Sequence, residues 1–79
     1  MARSTTVRKP AVSARNRLRG KVEWIEKGAV NSEVGLLLPG GEQIVAAVTN
    51  VSIKNLSLRK GSTAWALFKA SSVILGTLV

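Results

Sequence analysis

The sequence predicts an all-β fold, a small five-stranded barrel interrupted by one short helix. Three observations carry this expectation. Apolar and polar residues alternate over short runs, glycine-rich turns separate those runs, and the period shifts toward helical spacing in only one place.

The first strand is expected within "RLRGKVEWIEKG", residues 17–28. Leu18, Val22 and Trp24 share one parity there, and Gly20 suggests a bulge or a close backbone approach. "AVNSEVGLLL", residues 29–38, reads as the second strand. "PGGE", residues 39–42, is the clearest hairpin turn, because paired glycines supply the positive φ that tight turns need. "EQIVAAVT" then gives the third strand. In "TNVSIKNLSL", residues 49–58, Val51, Ile53 and Leu56 approach helical spacing, with Thr49 and Asn50 as capping candidates. "RKGS" turns the chain into a fourth strand, "TAWALFKA", where Ala64, Ala66 and Phe68 alternate with Trp65 and Leu67. "SSVILGTLV" reads as a fifth. Five short strands with a helix before the fourth make an OB-like barrel. Residues 1–11 lack apolar periodicity and read as a flexible basic leader, leaving residues 12–79 as one domain.

So short a chain buries a limited core. It has no cysteine to staple that core, yet 46% of its residues are hydrophobic. Burial of apolar faces between copies is the remaining route to stability. No apolar run approaches the roughly 20 residues of a membrane helix, and the N-terminus shows no apolar secretion signal. The chain therefore reads as cytoplasmic.

The missing residue types narrow the chemistry. Histidine, cysteine, aspartate and tyrosine are absent. Their absence removes the usual zinc ligands, the common general base at neutral pH and every Ser-His-Asp or Cys-His pairing. Glu23 and Glu26, three apart on a strand, would face opposite sides and form no carboxylate pair. A binding protein is expected rather than an enzyme. The net charge is +8, and seven of those charges fall within residues 1–21, where no acid is present. Such a segment attracts anions of any kind.

Three segments could hold an anion. In "SARNRLRGKV", residues 13–22, Ser13, Arg15 and Arg17 would share one face of an extended chain, with Asn16 on the other. Arginine presents a rigid fork of donors to oxyanions. Taken alone, the segment reads equally as a solvated basic strand. In "TNVS", residues 49–52, Thr49 and Ser52 stand beside the amides of a helix start, where simple N-capping is the plainer reading. In "KASS", residues 69–72, Lys69 ends an apolar strand, and reaching into solvent is its default reading; two serines stand close by, with no acid in the local sequence.

Together these segments resemble the molbindin or Mop-like family of small molybdate-binding domains, also called TOBE domains. The likeness covers about residues 12–78 and rests on "SARNRLRGKV", "GGEQIVAAVTNVSIKNLSLRKGS" and "ALFKASSVIL" in that order. It implies an OB-like barrel, dimers formed by exchanged strands, and a homohexamer built as a trimer of dimers. It also implies molybdate or tungstate bound at subunit interfaces for storage. On its motifs, Ser13, Arg15 and Lys69 correspond to side-chain ligands, with Asn16 close by. Thr49 and Ser52 contribute from the helix start, and Ala70 and Ser71 offer backbone or hydroxyl donors. Ser72 stands where family members often carry an acid. A tetrahedral dianion has only acceptor oxygens, so a cage of donors without carboxylates suits it.

The competing expectation is a nucleic-acid-binding OB module that uses the basic entry segment on phosphates, with steep salt dependence. Only Trp24, Trp65 and Phe68 could stack on bases, and packing is the better use for all three. A purely structural oligomerisation domain is the third reading.

Overall fold

The computed structural model describes residues 13–78. The expected leader, residues 1–11, lies outside them, as do residues 12 and 79. The order is β1 (Asn16–Glu26), β2 (Asn31–Leu37), β3 (Gln43–Thr49), α1 (Asn50–Asn55) and β4 (Thr63–Phe68), with a single 3-10 turn at Ala70–Ser72. All four strands form one antiparallel sheet in the order β3-β2-β1-β4.

β1 organises this sheet by changing partners partway along. It pairs with β4 from Asn16 to Lys21 and with β2 from Lys21 to Glu26. The handover curls the sheet into a half-barrel. Gly20 sits at the handover, where a Cβ would fall 2.5 Å from the carbonyl oxygen of Leu37. The close approach expected at Gly20 is therefore present. The bulge falls slightly later, between Val22 and Trp24. The turn before β4 grips the bulged strand, with Gly61 N–H donating to the Val22 carbonyl and Val22 N–H to the Ser62 carbonyl, both at 2.8 Å.

That bulge corrects the expected parity. Val22 lies opposite Leu36 and Ile25 opposite Val34, so both face the core. Trp24 lies opposite Gly35 and falls on the outer face, contrary to its expected grouping with Leu18 and Val22. The extra residue, Glu23, breaks the alternation because two residues of β1 oppose one of β2 there. The same break removes the simple opposition expected between Glu23 and Glu26. The Glu23 carboxylate instead reaches across β2 and accepts a 2.6 Å bond from Gln43 Nε2.

Between β2 and β3 the hairpin closes as expected, with Gly41 N–H donating to the Leu38 carbonyl at 2.9 Å and Gly41 at φ +97°. The buried core is small: Val22, Val34 and Leu36, with Ile25, Ile44, Val48, Ile53, Leu58, Ala64 and Ala66 packed around them. The helix ends in a Schellman turn. Leu58 N–H donates to the Ile53 carbonyl and Ser57 N–H to the Lys54 carbonyl. Ser57 takes the left-handed conformation at φ +53°, where glycine is usual. Ile53 and Leu58, the apolar pair that accompanies such a turn, both pack on the core.

The expected fifth strand does not form among the described residues. After the 3-10 turn, residues 73–78 carry no regular structure, and Ile74, Leu75 and Leu78 are 93%, 89% and 98% exposed. A strand exists only against a partner ladder, and the turn at Ala70–Ser72 ends the ladder that β4 shares with β1. Among the described residues both outer edges of the sheet, on β3 and β4, stay unpaired, and the barrel stays half closed.

Candidate functional site

β1 and β4 bring two of the three candidate segments together. Asn16 lies directly opposite Phe68, and its Nδ2 donates to the Phe68 carbonyl at 3.3 Å. "SARN" therefore ends where "KASS" begins, at the mouth of the β1–β4 ladder. Ser13 and Arg15 lie in a bend before the strand, so the alternating face expected for Ser13, Arg15 and Arg17 starts only at Asn16. Arg15, Lys69, Ala70 and Ser71 are exposed at this mouth, and Asn16 is half-buried. Neither segment carries an acid; the four glutamates sit at positions 23, 26, 33 and 42. The 3-10 turn leads Ala70, Ser71 and Ser72 away from β4, with Ser72 N–H donating to the Lys69 carbonyl at 2.9 Å. The arrangement supplies two cations and neutral donors with no carboxylate beside them, a composition suited to an oxyanion.

"TNVS" stands apart. Thr49 pairs with Asn31, beyond the far end of β1, and β3 occupies the sheet edge opposite β4. β1 has 11 residues, and at about 3.3 Å per residue its contour is roughly 35 Å. Within one chain, then, the three segments do not close into a single cage. Thr49 caps the helix: its Oγ1 accepts from Ser52 N–H at 3.1 Å and donates to Ser52 Oγ at 2.8 Å. Since Ser52 Oγ accepts from Thr49, its own proton stays available to another acceptor.

A hydrogen-bonded ring that the sequence reading did not single out backs this helix start. Ser32, 2% exposed, donates from Oγ to Asn50 Oδ1. Asn50 Nδ2 donates to the Gly28 carbonyl at 2.9 Å, and Gly28 N–H completes the ring with a long 3.4 Å bond to Ser32 Oγ. Asn50 N–H adds a fourth tie to the Val30 carbonyl at 2.8 Å. One sequence signal was present: Ser32 holds the same strand parity as Val34 and Leu36, a polar residue in a buried register.

The TOBE domain model matches residues 12–75. A probable molybdenum-pterin-binding protein of Haemophilus influenzae is 43% identical over 65 residues, covering 82% of this chain and 94% of its own. The molybdenum transport protein ModE of Herbaspirillum seropedicae is 49% identical over 65 residues, again 82% of this chain, but the match spans only 24% of that protein. Among solved structures, the cytoplasmic molybdate-binding protein ModG, in a form with molybdate bound, superposes with a TM-score of 0.84 at 49% identity, covering 87% of this chain and 49% of its own.

Proposed function

Because the chain belongs to the TOBE domain family, as the match over residues 12–75 shows, we propose that it binds molybdate or tungstate reversibly, at sites completed between copies of itself. The chain is a binding protein rather than an enzyme, in line with relatives named for molybdenum-pterin and molybdate binding. The observation that carries the reading is the Asn16–Phe68 junction. It joins the end of "SARN" to the start of "KASS", two segments free of carboxylates, and so supports Ser13, Arg15, Asn16, Lys69, Ala70 and Ser71 as donors. Thr49 and Ser52 then belong to the site through a second copy, because within one chain they lie at the other end of β1.

Two features support exchange of the C-terminal strand as the means of pairing. The exposed apolar tail, residues 73–78, has no partner strand among the described residues, and the half-barrel has an apolar cleft of about 370 Å³ lined by Ile44, Ala46, Val48, Leu56 and Ala64. Trp65 also borders this cleft, and its buried Nε1 has no acceptor among the described residues. A backbone carbonyl from an incoming strand would supply one. Three such dimers would form the homohexamer that the family resemblance implies, and a cytoplasmic store of the oxyanion is the role that fits. Among the described residues no helix is long and apolar enough to cross a membrane.

Native mass spectrometry with and without sodium molybdate tests this directly, reporting assembly size and bound anions together. Discrete molybdate adducts on a multimer are expected, with a raised melting temperature. Identical spectra and melting curves with millimolar molybdate overturn the reading. Salt-sensitive binding of single-stranded oligonucleotide without any molybdate response would replace it with the nucleic-acid alternative.

A further inference from the structure

We propose that Ser32 and Asn50 act as one clasp that, through Thr49, positions the free Ser52 hydroxyl toward the anion, so that Ser32 and Asn50 are both positioning residues of the site. This inference rests on the oxyanion-binding reading above. Ser32 is the one polar side chain buried among the described residues, and it spends its hydroxyl on the Gly28–Asn50 ring. An alanine would fill that core register without needing partners; the serine instead ties β2 to the helix start.

The ring converges on the residue that follows the site threonine. Thr49 is extended, at φ −66° and ψ 149°, and the chain turns into helix at Asn50. The direction of that turn follows from what holds Asn50: its side chain bonds to Ser32 and Gly28, and its amide bonds to Val30. Thr49 Oγ1 in turn orients Ser52 by taking its N–H and donating to its hydroxyl. The Ser52 hydroxyl, whose proton is the one left free at this helix start, therefore takes its position from the clasp. A tetrahedral anion tolerates misplacement of its donors by only about 0.5 Å before affinity falls. Lys54 and Asn55 on the same short helix are exposed, which leaves Asn50 as its main polar anchor.

The test is isothermal titration of the full chain with sodium molybdate, alongside thermal melting without the anion. Ser32→Ala and Asn50→Ala are each expected to weaken molybdate binding at least tenfold. The double variant is expected to bind no more weakly than the weaker single, because two members of one clasp are not additive. Asn50→Asp keeps the acceptor for Ser32 but sets a carboxylate oxygen against the Gly28 carbonyl. It is expected to lose affinity similarly, and it decides the matter should the alanine variants fail to fold. Wild-type affinity in variants whose melting temperature has dropped overturns the inference and makes the ring a fold stabiliser only. Losses that multiply in the double variant also overturn it. A wild-type chain that takes up no molybdate defeats the functional reading itself, and the wild-type titration separates that failure from the others.

Discussion

Trp24 covers Gly35 from the neighbouring strand, so closely that a Cβ at position 35 would overlap Cε2 and Nε1 of the indole. Glycine here makes room for a large ring across β2, on the outer face to which the bulge at Glu23 turns it. Gly35→Ala is therefore expected to destabilise the fold by roughly 1–3 kcal/mol, the usual cost of overpacking. Urea denaturation followed by tryptophan fluorescence measures this. Adding Trp24→Leu should recover part of the loss, and an unchanged midpoint for Gly35→Ala would show that the ring moves aside freely.

Ser57 occupies the left-handed position of the Schellman turn that closes α1. A non-glycine residue there costs on the order of 1 kcal/mol. Ser57→Gly should accordingly raise stability by a similar amount, seen as a higher melting temperature with the circular dichroism spectrum preserved.

Arg15 and Lys69 are exposed, so removing either should leave the anion-free melt within about 0.5 kcal/mol of wild type. With molybdate present the outcome should differ. Arg15→Ala and Lys69→Ala are each expected to abolish most of the molybdate-induced rise in melting temperature, because each removes a charge-assisted donor. A full rise in both variants would place the anion elsewhere.

The tail should decide assembly. Ile74 and Leu75 are exposed within one chain and would be buried if the strand were exchanged. Ile74→Asp combined with Leu75→Asp is expected to shift the protein toward monomer in sedimentation velocity, since buried unpaired carboxylates are costly. An unchanged sedimentation coefficient would mean that copies associate without the tail.

Much of the fold was legible because its signals are local. The PGGE hairpin, the inward Ala64 and Ala66, and the Thr49 cap each depend on residues within a few positions of one another, and each lies where the pattern put it. Alternation alone groups Trp24 with Leu18 and Val22, because a bulge has no composition of its own; it exists only where β1 meets β2. Ser32 passed unnoticed because its partners, Gly28 and Asn50, reach it only through the strand pairing.

The donor chemistry was set by composition alone: arginine, lysine, serine, threonine and asparagine, without histidine, cysteine or aspartate. Local order likewise determined the four strands and the short helix. Tertiary structure decided which candidate segments share one end of the sheet. It joined Asn16 to Phe68, and so "SARN" to "KASS", while leaving Thr49 and Ser52 at the opposite end of β1 and residues 73–78 without a partner strand. The physical reason is that donor identity belongs to each side chain, whereas convergence depends on strand register and sheet order, which long-range pairing alone creates.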